Sequence, residues 1–211
     1  MVYYVLMTVE KFEPFDGAHK RLLDHTIDSI KKKFHRRMIV ATDQKWAKEY
    51  VKDMRVKAME VEDQISSYKN VLVNVGSKMN MDPDDEFVTL PLEYPGRTYR
   101  NIRSAIQFYR KHDDAKSLLC KQEAKTRPEN IFFERSDDRG EPVMENHGGQ
   151  NWKGKEKDEI SKHSHFVSIH EVSELPKVND WLWNEDTVFF PINGVTEVTT
   201  EEELDQFEEN E

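Results

Sequence analysis

Short apolar runs alternate with amphipathic stretches along most of this chain, and that alternation restricts the fold more than any other feature of the sequence. Val2 to Thr8 is a β-rich run, and residues 19–33 carry Leu22, Leu23, Ile27 and Ile30 at helical spacing. Met38-Ile39-Val40-Ala41 makes a second strand ended by Thr42-Asp43, residues 44–53 return to a helical pattern, and Val56 to Val61 is a third short strand. Ser66-Ser67 caps a helix running through Val71, Leu72 and Val75. Glu86-Phe87-Val88-Thr89-Leu90 reads as a central strand stopped by Pro91. Arg97 to Arg110 then places Ile102, Ala105, Ile106 and Tyr109 on one helical face, and Ser117 to Cys120 is the next strand. Strands and helices in this order, joined by short links, predict an α/β domain: a mostly parallel, doubly wound sheet in a three-layer αβα arrangement.

The pattern changes beyond residue 126. Residues 134–164 are polar and rich in Gly, Asn, His and Lys, as in Ser136-Asp137-Asp138-Arg139-Gly140 and His147-Gly148-Gly149-Gln150. A long polar stretch in a compact domain reads as a functional loop or an interface insertion. Apolar strands resume at His165-Phe166-Val167-Ser168-Ile169 and at Thr187 to Ile192. A last helix starts at Thr199-Thr200-Glu201-Glu202-Glu203-Leu204, with acids in its first turn.

The 211 residues suit one domain spanning 1–211, with 134–164 as an appendage. A net charge of -10 opposes nucleic acid as a broad electrostatic partner. No run reaches the roughly 18 apolar residues of a membrane span, and Met1 to Met7 is too short and poorly flanked for a signal peptide. The one cysteine, Cys120, lies in an apolar run as a buried thiol, and its solitude fits a reducing, cytoplasmic setting.

Ligands of open α/β sheets bind beyond the carboxyl ends of the strands. Three stretches qualify here: Val9 to Lys20, Thr42-Asp43 and Leu90 to Arg97. The first holds Lys11, Gly17 and Lys20 before a helix. Backbone N–H groups and ammonium charge there can hold phosphate, although its three acids, Glu10, Glu13 and Asp16, favour a plain polar connection. The third has two prolines, Pro91 and Pro95, and ends in Arg97. That fork can address a phosphate or carboxylate, or simply help start the following helix. His163-Ser164-His165, with His147 and His170, has no cysteine partner and weakly suggests a metal. Trp152, Trp181 and Trp183 can stack on a base or sugar, or pack in an interface.

Read in order, several stretches resemble the acylneuraminate and related cytidylyltransferases. His25-Thr26-Ile27-Asp28-Ser29-Ile30 is similar to the family's first helix, and Met38 to Asp43 resembles its apolar strand ending in Ser/Thr-Thr-Asp. Ser66-Ser67-Tyr68-Lys69-Asn70 resembles its serine-entered helix, and Phe87 to Arg97 its strand followed by Leu-Gln-Pro-Thr-Ser-Pro-Leu-Arg. Asn130-Ile131-Phe132 and Thr200 to Leu204 are similar to its Asn-Leu-Phe and its final Asp-Thr-Glu-Glu-Asp-Leu.

The resemblance implies a nucleotide-diphospho-sugar transferase-like fold and transfer of CMP from CTP to an acidic sugar, with Mg²⁺ as cofactor and a homodimer as the assembly. It assigns Lys11, Lys20 and Arg97 to catalysis, Thr42, Asp43, Glu93 and Tyr94 to substrate binding, and Glu197 to the metal. The sequence departs from the family where Val9 to Gly17 replaces Arg-x-Gly-Ser-Lys, and where Glu197-Val198-Thr199 replaces Asp-x-Asp. Two other readings stay open: a catalytically degenerate relative that binds a nucleotide or a partner, and a nucleotide-sugar-dependent glycosyltransferase.

Overall fold

The computed structural model describes residues 1–9, 18–34, 37–54, 56–61, 67–123, 132–134, 140–142 and 161–210. The strands are β1 (Val2–Thr8), β2 (Met38–Thr42), β3 (Lys57–Glu60), β4 (Glu86–Thr89), β5 (Ser117–Glu123), β6 (Phe132–Glu134), β7 (Gly140–Pro142), β8 (Ser161–Glu171) and β9 (Val188–Pro191). The helices are α1 (His19–Phe34), α2 (Lys45–Asp53), α3 (Tyr68–Met79), α4 (Tyr99–Tyr109) and α5 (Glu201–Glu209).

Seven strands form one sheet in the order β3-β2-β1-β4-β8-β5-β9, and β6 and β7 pair separately. Four of the large sheet's neighbour pairs are parallel. Only β8 reverses, running antiparallel to both β4 and β5. The expected α/β class is thus the observed one, with one reversed strand inside it.

The helices cover both faces, giving three layers. One face packs Leu22, Leu23, Ile27 and Ile30 of α1, Val51 of α2, Ile102 and Ala105 of α4 and Leu204 of α5 against Leu6, Val40, Val88 and Leu118. The other packs Val71, Leu72 and Val75 of α3, with Leu175, Val178 and Leu182, against Val5, Ile39, Phe87 and Leu119. The parallel strands β2 and β4 are buried at every position, as expected for strands covered on both sides.

Helix starts are set by side-chain caps. Ser67 Oγ accepts from the Asn70 amide at the head of α3, while Ser66 lies outside the described residues. Thr98 forms a reciprocal capping box with Asn101, so α4 starts at Tyr99 rather than Arg97. Thr200 and Glu203 do the same for α5, which starts at Glu201 rather than Thr199.

The polar stretch expected over 134–164 is shorter in one respect. Residues 161–164 belong to β8, where Glu123 pairs with Ser161 and Lys121 with His163. Histidines and lysines at that end of the strand hid its start from hydropathy. No helix among the described residues is long and apolar enough to cross a membrane.

β8 also carries the main irregularity of the sheet. Leu118 pairs with Ile169 and Cys120 with Ser164, so Leu119 alone faces the four residues from His165 to Ser168. A bulge of this size bends the strand and re-aims its side chains. It sits at the carboxyl edge of β1 and β4, where the candidate site lies.

Candidate functional site

β4 leads directly into Leu90 to Arg97, and these residues lie against the start of β8. The core of this meeting is Arg97. Its side chain is 2% exposed, with Nη1 donating to the carbonyl of Phe166 and Nη2 to that of Pro91, both at 2.5 Å. The guanidinium lies 5.9 Å from the Tyr94 ring centre and 5.7 Å from that of Phe166. Burial pulls its pKa down to about 10, opposed by the charge of Glu93, and it remains a cation at neutral pH. Its fork, which the sequence left open between a phosphate or carboxylate and the start of the following helix, ties the β4 loop to the β8 bulge.

Tyr94 completes the tie. Its hydroxyl lies 3.0 Å from Ser164 Oγ, which also accepts from the Phe166 amide, and its ring meets that of Phe166 edge-on at 5.5 Å. Burial pushes the Tyr94 phenol up to about 12.

Glu93 is the acid of this loop. Oε1 accepts from the Tyr68 hydroxyl at 3.2 Å, and Oε2 is buried with no partner among the described residues. Burial raises its carboxyl above the usual range, while its own amide, Tyr68 and Arg97 pull the other way. Glu197 is brought beside it by backbone pairing, since the Val198 amide donates to the Glu93 carbonyl at 2.8 Å. The negative charge of Glu197 is felt by Glu93, Tyr94 and Tyr68 alike. Lys162, at the start of β8, reaches Glu197 Oε2 at 3.4 Å.

Rings extend this group toward solvent. Tyr68, at the head of α3, lies 5.4 Å from His165, which lies 5.7 Å from His163, and His163 lies 6.1 Å from Trp181. His165 Nδ1 contacts Ser168 Oγ at 3.2 Å, and its Nε2 is buried without a partner among the described residues. Burial lowers its pKa to about 3, keeping the ring neutral. Among the described residues no group of three or more His, Cys, Asp or Glu is placed to hold a metal.

Glu93, Tyr94, Arg97 and Glu197 therefore come together. The other sequence-derived candidates have their described contacts elsewhere. The Lys20 ammonium, in the first turn of α1, sits 5.5 Å over the Tyr50 ring. Thr42 Oγ1 donates to the Thr8 carbonyl at 2.9 Å and accepts from the Gln44 amide, so it shapes the end of β2. Asp43 accepts from Gln44 Nε2 at 3.0 Å. Lys11 lies outside the described residues.

Tyr68 and Lys162 were not singled out as site residues, and Ser164 and His165 only within the histidine stretch weighed for a metal. A tyrosine at the first position of a serine-capped helix at the ligand edge was the one available signal. The three β8 residues depended on a strand direction and a bulge that hydropathy does not encode.

No family model matches the chain, and no curated protein sequence does. Solved structures do resemble it. A CMP:2-keto-3-deoxy-manno-octonic acid synthetase complexed with CTP superposes with a TM-score of 0.65 at 12% identity, over 99% of this chain and 97% of that one. A 4-diphosphocytidyl-2C-methyl-D-erythritol synthase from Anaerococcus prevotii gives 0.62 at 11%, over 98% and 95%. A protein assigned as a glucose-1-phosphate thymidylyltransferase from Bacillus anthracis, in complex with sucrose, gives 0.62 at 9%, over 98% and 93%. At these identities the likeness is one of fold alone: a mostly parallel α/β sheet covered by helices on both faces.

Proposed function

We propose that this protein is a nucleotidyltransferase that transfers CMP from CTP to an acidic sugar, acting with Mg²⁺ and as a homodimer. The observation that carries the reading is the juxtaposition of Glu93 and Glu197 at the carboxyl edge of the sheet, the edge at which open α/β sheets take their ligands. The neighbours of like fold include a synthetase complexed with CTP, which favours CTP among nucleotides.

In the reaction a sugar hydroxyl oxygen bonds to the α-phosphorus of CTP as the bond to the bridging oxygen breaks, releasing pyrophosphate and the hydroxyl proton. Little covalent work falls to the protein. Positioning and charge neutralisation supply the rate.

The carboxylates fit a hard, oxygen-seeking cation. Glu93 Oε2 is a buried oxygen lacking a partner among the described residues, and Glu197 supplies a second, more exposed carboxylate. When bound, Mg²⁺ would neutralise triphosphate charge. Tyr68 holds Glu93 in place through its hydroxyl, and Arg97 fixes the loop that carries it. Lys11 and Lys20 are the proposed phosphate cations, and Thr42, Asp43 and Tyr94 the proposed boundary of the substrate pocket.

A second reading has its own support. Arg97 is engaged with backbone carbonyls and Lys162 with Glu197, so two cations near the pair are already occupied. A relative that binds a nucleotide or a partner without turnover would need no more.

Thermal shift with CTP, UTP, ATP and GTP, each with and without Mg²⁺, followed by pyrophosphate release in the presence of sugar acids, separates the readings. A Mg²⁺-dependent shift specific to CTP, with release abolished in Lys20→Ala and Glu93→Gln, supports transfer. A shift without release in any mixture supports the binding relative. Silence across the whole nucleotide panel defeats transfer and nucleotide binding and leaves the partner-binding relative.

A further inference from the structure

The β8–β9 connection presents two tryptophans to solvent on a stiff scaffold. Trp181 is 60% exposed and Trp183 38%, while Leu182 between them is fully buried. Leu182 adopts φ 63°, in the left-handed region that costs a branched residue roughly 1–2 kcal/mol. Five contacts hold it there. The Asn179 side-chain oxygen accepts from the amides of Trp181 and Trp183. The Asn179 amide donates to the Trp183 carbonyl, and the Leu182 amide to the Asn179 carbonyl. From beneath, His170 Nε2 lies 2.7 Å from the Leu182 carbonyl, so that nitrogen carries the proton. A strained residue held by a rigid surround is the signature of a functional constraint rather than a loose loop.

Exposed tryptophan is costly unless something covers it. Here one end of the answer is built in. Trp181 terminates the line of rings through His163 and His165 to Tyr68, the residue hydrogen-bonded to Glu93. The buried, unpartnered Nε2 of His165 lies in the same line, a polar atom among the described groups still lacking its hydrogen bond.

We propose that Trp181 and His163 form the stacking wall of the acceptor subsite, selecting a ring-form sugar over an open-chain one. This rests on the transferase reading above. The flat indole covers the C–H face of a closed sugar ring, and His165 offers its free nitrogen to a ring hydroxyl. An open-chain polyol has no continuous apolar face to lay on it, so Trp181 discriminates by shape rather than charge.

The test uses the whole chain with Trp181→Ala and Trp181→Phe variants, read by tryptophan fluorescence and by KM. The probes are 2-keto-3-deoxy-manno-octonic acid, N-acetylneuraminic acid and glucose 1-phosphate as ring sugars, with erythritol 4-phosphate as the open chain. CTP without metal is present in one arm of each titration.

Saturable quenching by at least one ring sugar is expected, absent for erythritol 4-phosphate and lost in Trp181→Ala. The acceptor KM should rise about tenfold in Trp181→Ala, with the CTP KM unchanged and Trp181→Phe close to wild type. Equal affinity of wild type and Trp181→Ala, equal response to ring and open-chain probes, or no quenching by any ring sugar overturns the proposal. So does a change of oligomeric mass in Trp181→Ala, which would make the tryptophan an interface residue. Ring-sugar quenching without any CTP thermal shift keeps the sugar wall and sinks the transferase reading, so the two fail separately.

Discussion

Arg97 donates one hydrogen bond to the carbonyl of Phe166 and another to that of Pro91, from a side chain almost wholly out of water. The Phe166 carbonyl lies within the bulge of β8, where the ladder cannot serve every backbone group. A lysine could reach one of the two carbonyls but lacks the planar fork to satisfy both.

Arg97→Ala should therefore act on stability first. Two buried carbonyls lose their donor, at roughly 1–3 kcal/mol each. For a chain of this size that lowers the melting temperature by about 4–24 °C. Arg97→Lys should recover less than half of it. An unchanged melting curve with lost nucleotide binding would return Arg97 to the role of ligand clamp.

The buried histidines predict an acid-side loss of stability. Folding lowers the pKa of His170 to about 4 and of His165 to about 3, from a usual value near 6.5. Their contribution is complete above about pH 6.5 and falls with pH, because the unfolded state takes up protons that the folded state refuses. The slope is about 1.4 kcal/mol per pH unit for each histidine, down to their folded values. The raised carboxyl of Glu93 works against this slope above its usual pKa. Glu208, held down to about 2 by Arg21 and His25, adds its own loss only below the ordinary carboxylate range. Urea unfolding from pH 7 to pH 4.5 should show the histidine slope, flattened in His170→Asn.

Cys120 should be inert. It is fully buried, donates to the Val167 carbonyl at 3.3 Å, and burial pushes its thiol up to about 12. A thiol reagent at pH 8 should label no cysteine in the native protein and one equivalent after denaturation. Rapid native labelling would mean that β5 and β8 open readily.

The carboxylates predict divalent-ion dependence. Glu197→Gln removes the more exposed acid and should weaken Mg²⁺-dependent CTP binding by roughly tenfold or more. Glu93→Gln should weaken it further, because the amide would leave a donor buried beside Tyr68. Isothermal titration of CTP with Mg²⁺ checks the order; equal affinity in both variants would remove the pair from the site.

Near Phe87 and Ile102 the fold was readable because burial on both sheet faces writes itself into apolar periodicity. The caps at Ser67 and Thr200 were equally local and equally legible. The start of β8 was not, since His163 and Lys162 at a ligand edge look like loop residues whether or not they pair. The site divided along the same line. The loop that carries Glu93 and Tyr94 was visible as a strand-end loop and Glu197 was suggested by the resemblance alone, whereas Arg97 showed its chemistry without showing where it points. That direction depends on the carbonyl of Phe166, sixty-nine positions away, and no local pattern announces so distant a partner.

The pairing of Glu123 with Ser161 has a consequence for how such a chain can diversify. Everything between these two residues leaves and rejoins the sheet at adjacent points on the ligand edge. The span they enclose can grow or shrink without moving any strand register, and each doubling of its length adds only about 0.6 kcal/mol of closure cost. A change of length in that span therefore enters the chain between one pair of positions, Glu123 and Ser161, and leaves the seven-stranded pairing as it is.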